Sequence, residues 1–482
     1  MNIHWIDLLI FIIYIVLMMA VGLHFYRKNT STEDYYVGGR SINPWHIGLS
    51  VVATDVGGGF SIGLGGLGFM IGIAGSWMLF TGIIGAWLSA VILIPRVFEL
   101  VKHYPLTTFP EVLGKLFDKR VALAAGIISF IGYLGFTSSQ LLAGAKLASA
   151  TFTDVSLQSC LWIMGVIAVG YTVLGGMKAV VYTDTIQWII LFSGLFFIGI
   201  PFGYHALGGW DEIMASIPAS HSNILNIGAI QIINWIITIV PVWFIGMTLY
   251  QRMYACGNEK AAKKAWVIAG LFEWPFMAFL GVILGVFSRA ALHQGLFSHL
   301  GIINVGDLDP EMGLPLFLAN ILPVGFMGLM MSAYFSAILS TADSCLMAAS
   351  GNIVADIIKP FKKMPELFEL KLSRYVTLIL GFLAVILASM MENVLELMLL
   401  SYAFMVSGLF VPVLGGFLLP NSSPKAALAS MLVGGMLTLF LIISEWQLPF
   451  SLDANFFGLS ASALVFFIGN KMDSKRILLI KN

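Results

Sequence analysis

The chain has 482 residues, 59% hydrophobic and 10% charged, with a formal net charge of zero. Its mean hydropathy of +0.93 excludes an ordinary soluble domain, because apolar runs of about 18–25 residues recur throughout and match the thickness of a bilayer. The balanced charge gives no case for nucleic-acid binding. Cys160, Cys256 and Cys345 have no metal-ligand spacing and sit in or beside apolar runs, so they read as buried thiols and not as a disulfide framework.

The pattern predicts an all-α polytopic membrane protein with about thirteen spans, taking roughly 20 residues per span. They fall near 5–26, 45–71, 76–101, 121–151, 157–174, 180–204, 229–253, 263–288, 314–355, 372–390, 395–419, 425–444 and 452–470. The first lacks a basic leader and a small-residue cleavage site, so it reads as a retained span rather than a signal peptide. The stretch 314–355 is too long for one straight crossing and is expected to run past the membrane or bend. Basic residues alternate with the spans. Arg27, Lys28 and Arg40 follow the first; Lys102, Lys115, Lys119 and Arg120 the third; Lys178 the fifth; and Arg252, Lys260, Lys263 and Lys264 the seventh. Lys359, Lys362, Lys363, Lys371 and Arg374 follow the ninth, Lys425 the eleventh, and Lys471, Lys475, Arg476 and Lys481 lie in the tail. The opposite loops hold Arg289, and Lys146 is expected to snorkel outward. The positive-inside rule then puts the N-terminus outside and the C-terminus in the cytoplasm. Compact loops suggest a bacterial inner membrane. No phosphate-loop motif appears, the tail leaves little room for a nucleotide-binding domain, and ATP-driven transport is not expected.

Four polar features interrupt the spans. The second span carries Ala53-Thr54-Asp55-Val56-Gly57-Gly58-Gly59-Phe60. An intramembrane aspartate costs about 2.5–3.5 kcal/mol on insertion scales, and each glycine costs a helix about 1 kcal/mol relative to alanine. A broken helix exposes carbonyls that are tolerated at membrane depth only where they line a cavity or hold an ion. A small-residue packing face would explain the glycines but not Asp55. The sixth span contains Asp184, for which ion binding and a charge on the helix dipole remain equal readings. The eighth contains Glu273 beside Pro275, either a proton or substrate group or half of an ion pair. The ninth carries Ser340-Thr341-Ala342-Asp343-Ser344, whose four oxygen-bearing side chains suit a hard cation such as Na⁺. Back-bonding to carbonyls one turn earlier would explain each hydroxyl singly, but less well the cluster with its aspartate. Phe60, Tyr133, Phe136, Gln140, Trp243, Phe244, Thr248 and Tyr402 are candidates for the cavity wall. The seventh span is also interrupted, by Pro241 and Gly246. Two interrupted spans five apart are the pattern of inverted five-helix repeats with a site between them.

These residues resemble the sodium:solute symporter family. The match rests on Gly38-Gly39-Arg40-Ser41, on Ala53 to Gly59, on Gly175-Gly176-Met177-Lys178-Ala179-Val180 with Thr183, Asp184 and Gln187, and on Ser340 to Ser344. It implies a LeuT-type fold in a single transporter domain over 1–482. One extra helix occupies 5–26, the two inverted repeats occupy 45–204 and 229–419, and two further helices occupy 425–470. It implies a Na⁺ site on the carbonyls of Ala53, Val56 and Ala337 and the hydroxyls of Ser340 and Thr341. A possible second Na⁺ site would use Asp184, Ser340, Thr341 and Ser344 with Asp343 nearby; Asp343 replaces a serine of some members. Asp55 resembles the aspartate of the proline symporters and would sit near Na⁺ or meet a cationic group of the solute. With Thr54, Gly57 and Gly58, it joins Phe60, Phe136, Gln140, Trp243, Phe244, Thr248 and Tyr402 as the expected solute site.

The expected function is Na⁺-coupled uptake of a small organic solute by alternating access, with one or two ions. The third span offers few polar side chains for a sugar, and the fourth holds no buried Arg for sialic acid. Trp243, Phe60 and Phe136 suit an ammonium group by cation–π attraction. A small zwitterion or amine such as proline or choline is preferred. The alternatives are a proton-coupled symporter of a monocarboxylate, working through Asp55, Asp184 or Glu273, and a transporter-like nutrient sensor. An enzyme is not expected, because His4, His24, His46, His103, His205, His221, His293 and His299 lie mostly in loops or at span ends. The expected partners are the solute, Na⁺ and the bilayer, and nothing calls for an obligatory protein partner.

Overall fold

The computed structural model describes the chain except residues 1–3, 27–35, 41, 153, 363, 420 and 482; the side chains of 22, 25, 26, 39, 60, 61, 174–179 and 474–481 also lie outside the described residues. The expectations placed on Ser41, on the Phe60 side chain, on 175–179 and on Arg27, Lys28, Lys363, Lys475, Arg476 and Lys481 fall there.

Seventeen helices position the site: α1 (Trp5–Tyr26), α2 (Pro44–Val56), α3 (Gly58–Ile71), α4 (Trp77–Val101), α5 (Phe109–Leu116), α6 (Lys119–Thr151), α7 (Leu157–Gly194), α8 (Ala229–Ile245), α9 (Met247–Ala255), α10 (Glu259–Phe272), α11 (Phe279–His293), α12 (Pro310–Ile321), α13 (Phe326–Gly351), α14 (Glu366–Ala388), α15 (Val394–Leu418), α16 (Pro424–Ser444) and α17 (Ala454–Lys481). Their starts obey local chemistry. Asn43 caps α2 by accepting the Trp45 N–H at 2.9 Å, with Pro44 in the first turn. Asp118 caps α6 through the N–H groups of Arg120 (2.8 Å) and Val121 (3.0 Å).

Among the described residues, eight helical runs are long and apolar enough to cross a membrane, or nine if α8 and α9, bent by 42°, form one span. The expected thirteen divides one of these runs, Ile62–Val101, and counts besides the shorter apolar helices Trp5–Val21 and Leu157–Val173 and the helix that begins at Ala454. Ile62–Val101 has 40 residues, about 60 Å of helix at 1.5 Å per residue against a hydrocarbon core of roughly 30 Å. It is interrupted at Gly72–Ser76, where Gly72 has φ +72 and packs so closely on the His221 backbone that a Cβ would lie 2.2 Å from its carbonyl oxygen. In α7 the Tyr171 and Thr183 hydroxyls are 3.0 Å apart. Twelve helical steps would separate these residues by about 18 Å on a straight rod, so the two ends of α7 are not collinear. The long stretch 314–355 is divided near its start. α12 ends at Ile321, Gly325 adopts φ +89, and α13 begins at Phe326 and continues through a π turn, Asn352–Ile358.

α13 lies at the centre, with Met330–Gly351 buried throughout. It packs against α6 and α7 and meets α2 and α3. α10 packs on α2 and α4, α11 on α3, and α15 on α6 and α16. Large apolar side chains stand exposed on the outer helices, among them Val91, Tyr375, Phe382, Met436 and Phe467. That surface suits lipid, which asks for no hydrogen bonds from the helices facing it.

Candidate functional site

The first interrupted helix breaks at Gly57, between α2 and α3. A Cβ on Gly57 would lie 2.0 Å from Thr341 Oγ1 and 3.0 Å from Gln140 Oε1, so only glycine lets α6 and α13 close on the break. Gln140 Oε1 accepts the Gly59 N–H at 2.9 Å. The Ser340 hydroxyl lies 3.1 Å from the Ala53 carbonyl and 2.9 Å from that of Ala337. The Thr341 hydroxyl lies 3.1 Å from the Ala53 carbonyl, 3.0 Å from that of Thr54 and 3.3 Å from that of Ala337. Five oxygens thus share two hydroxyl protons. An oxygen-rich, proton-poor cluster of neutral donors is the chemistry that a hard monovalent cation prefers. The cluster joins Ala53, Thr54, Ala337, Ser340 and Thr341; Val56 is buried at the end of α2, and its carbonyl is not among these five oxygens.

The second break lies at Gly246, between α8 and α9. Here the Tyr133 hydroxyl accepts the Thr248 N–H at 3.2 Å and lies 3.1 Å from its hydroxyl. Tyr133, Phe136 and Gln140 follow i, i+3, i+7 spacing, so one face of α6 serves both breaks. Phe136 meets Tyr402 edge-on at 4.9 Å. Trp243 and Phe244 diverge: Trp243 fills the space beside Gly85 and meets Trp266 at 6.5 Å, whereas Phe244 meets Phe410 at 5.7 Å.

Arg252 corrects the sequence reading, which counted it as cytoplasmic loop charge. It is fully buried. Its Nη2 lies 3.1 Å from Asp184 Oδ2 and 2.8 Å from Ser344 Oγ, and also donates to Thr54 Oγ1. Its Nε reaches Ser50 Oγ at 2.9 Å, and Ser50 in turn donates to Asp184 at 2.5 Å. The guanidinium therefore ties α2, α7, α9 and α13 together, lying among Asp184, Ser344 and Thr54. Asp343 turns to α7 and accepts the Thr172 hydroxyl at 2.5 Å. Sequence reasoning missed Arg252 and Ser50. The available signal was the break at Gly246, which carries the following turns back into the protein interior.

Lys146 is a second correction. It does not snorkel; its ammonium is buried, 2.6 Å from Asp309 and 2.7 Å from Glu311. Glu311 also accepts the N–H groups of Val394 and Leu395, both at 2.9 Å. These contacts tie α6, α12 and α15 beside a cavity of about 490 Å³ lined by Gly66, Asp309, Glu311, Leu395 and Ala403. The three cysteines are buried and free.

A helical bundle with two broken helices joined across a shared third is the architecture of a LeuT-type secondary transporter. A Na⁺-coupled sialic acid symporter, solved in a substrate-bound outward-open state, superposes with a TM-score of 0.81 at 19% identity, covering 98% of each chain. The chain belongs to the Sodium:solute symporter family, whose profile matches residues 35–434. The high-affinity proline transporter PutP of Bacillus subtilis (strain 168) is 30% identical over 436 residues, covering 86% of this chain and 88% of the relative. The sodium/glucose cotransporter of Vibrio parahaemolyticus is 27% identical over 484 residues, covering 92% and 87%. The chain is a multi-pass membrane protein and a sodium-coupled solute symporter, in a family of transporters rather than enzymes. Na⁺ is its coupling ion, and the proton-coupled and sensor alternatives are not favoured. The relatives carry different solutes, so membership does not choose among them.

Proposed function

We propose that the protein takes up a small zwitterion or amine, with proline the leading candidate, and that Na⁺ binds at Ala53, Val56, Ala337, Ser340 and Thr341. The observation that carries this reading is the oxygen cluster between the α2 break and α13. A cation there would neutralise five partially negative oxygens and bind the broken helix to α13. That arrangement holds the solute cavity ready on the outer side. A ligand shifts such an equilibrium by its differential affinity for the two states. The N-terminus lies outside and the C-terminus inside; the negative cell interior, worth about 2.3 kcal/mol per charge per 100 mV, drives the ion inward. Loss of Na⁺ inside then releases the solute by linkage.

Proline is favoured by the proline-transporting relative and by the aromatic wall of Phe136 and Tyr402. Gln140, Thr54, Asp55, Gly57, Gly58 and Thr248 supply the polar and backbone contacts. A second ion would draw on Asp184, Asp343 and Ser344, which requires Arg252 to move.

The test is Na⁺-driven uptake of labelled proline into proteoliposomes, together with the melting temperature of purified protein in NaCl against KCl. Wild type is expected to melt higher in NaCl, since a ligand of the native state stabilises by mass action. Ser340→Ala is expected to need about tenfold more Na⁺, the equivalent of roughly 1.4 kcal/mol. Equal melting of wild type in the two salts would remove the proposed Na⁺ site, and absence of proline uptake alongside a Na⁺ response would remove only the solute.

A further inference from the structure

Asp55 and Glu273 lie close together in the interior of the bundle, where α2 packs against the turn that Glu273 opens. Asp55 stands on α2, two residues before the break at Gly57, and Glu273 opens the π turn Glu273–Ala278 between α10 and α11. Both carboxyl oxygens of Glu273 and Oδ2 of Asp55 are buried without a hydrogen-bond partner. Among the described residues neither carboxyl has a Lys or Arg within ion-pair distance. A pair of acids in this position can keep its protons or share one, but two ionised carboxyls side by side require a cation.

The surrounding chain makes room for such a pair. A Cβ on Gly82 would lie 1.8 Å from Glu273 Oε1, so α4 offers a bare backbone where the carboxyl rests. One turn further, Gly85 does the same for Trp243, whose indole a Cβ would meet at 2.3 Å. Two glycines at i, i+3 therefore seat an acid and an aromatic side by side on one helix face. Trp266 lies edge-on to Trp243, and its indole N–H is buried without a partner. The π turn adds an independent mark: this extra-residue geometry is rare, and it recurs at functional positions in helices.

We propose that Asp55 and Glu273 form a binding site for one monovalent cation, and that this cation is the ammonium group of the carried solute. The proposal rests on the reading of the residues around the α2 break as the solute site. The lining separates two chemistries. A sodium ion asks for a shell of oxygens, which the cluster around Ser340 and Thr341 provides. The acid pair instead offers carboxyl oxygens on one side and the indole of Trp243 on another. An amine satisfies both, donating N–H to the carboxyls and presenting its charge and adjoining C–H groups to the indole. Sodium is the other source of a positive charge between two carboxyls, and the experiment separates the two.

The experiment uses purified full-length protein, wild type and Glu273→Gln, with the melting temperature as readout. NaCl is titrated against KCl at constant ionic strength. At saturating NaCl three probes follow: L-proline, tetrahydro-2-furoate, which keeps the ring and carboxylate but replaces the amine by an ether oxygen, and dimethylammonium chloride, which carries the charge without the rest of the solute. The proposal expects proline or dimethylammonium to stabilise wild type, the ether acid to have no effect, and Glu273→Gln to weaken the active amines at least tenfold. The Na⁺ midpoint should stay within twofold. A tenfold shift in the Na⁺ midpoint with amine binding unchanged would overturn the ammonium assignment in favour of sodium. Amine and Na⁺ binding both unchanged in Glu273→Gln, or no response of wild type to either amine, would overturn the site itself. If proline fails while dimethylammonium binds wild type and is lost in Glu273→Gln, the cation site stands and proline is discarded as the solute.

Discussion

Two buried carboxylate clusters flank α2, and they are solved differently. Asp184 is met from inside the protein, by the Arg252 guanidinium at 3.1 Å and the Ser50 hydroxyl at 2.5 Å. Asp55 Oδ2 and both Glu273 carboxyl oxygens have no hydrogen-bond partner, and among the described residues no Lys or Arg lies within ion-pair distance of either. Taking a charge out of water is costly wherever it is done. The first cluster offsets that cost with contacts from the protein itself that join four helices. The second leaves it to a cation arriving from outside. One cluster therefore behaves as a clasp on this conformation and the other as a receptor.

The largest expected effect tests the clasp. Arg252→Met should destabilise the protein by about 3–5 kcal/mol, because it strands Asp184 without its counter-charge. Adding Asp184→Asn should recover most of the loss of melting temperature. A double variant as unstable as the single would show that Arg252 matters for packing rather than for charge. Next comes the break beside it. Gly57→Ala pushes a methyl into Thr341 and should cost roughly 1–3 kcal/mol as overpacking while abolishing the NaCl-over-KCl stabilisation. A variant retaining that stabilisation would separate the break from the ion.

The receptor cluster should answer with the opposite sign. Glu273→Gln removes an uncompensated acid and gives Asp55 an amide donor, so the solute-free protein should gain about 1 kcal/mol. A clear loss of melting temperature without ligand would mean that Glu273 already has a stabilising role, and the contrast between the clusters would fail. The smallest effect serves as a reference. Asp118→Ala removes the cap of α6 and should cost about 1 kcal/mol, with the Na⁺ midpoint unchanged. A shifted midpoint would show that α6 transmits strain from its end to Gln140 and Tyr133.

Much of this was readable locally. The apolar runs report the membrane because a 20-residue apolar helix has few alternatives. The glycines after Asp55 report a break because helix propensity is a local property. The hydroxyls of Ser340 and Thr341 report oxygen chemistry because their spacing puts them on neighbouring positions of one helix. Arg252 was misread for the same reason. Its neighbours in sequence resemble a cytoplasmic span end, and only the bend at Gly246 turns it inward. Lys146 looked free to reach solvent until α12 brought Asp309 and Glu311 to it.

The sequence alone therefore determined that the chain crosses lipid, that its helices break after Asp55 and near Gly246, and that Asp55, Asp184 and Glu273 lie within apolar spans. Tertiary structure alone decided which charges are answered. The energy of a buried carboxylate depends on what lies within a few ångströms, and those neighbours come from helices far apart in the chain. That is why Asp184 and Asp55, alike as single aspartates in apolar spans, end with different partners: a guanidinium for one, and for the other a second acid with no cation beside it.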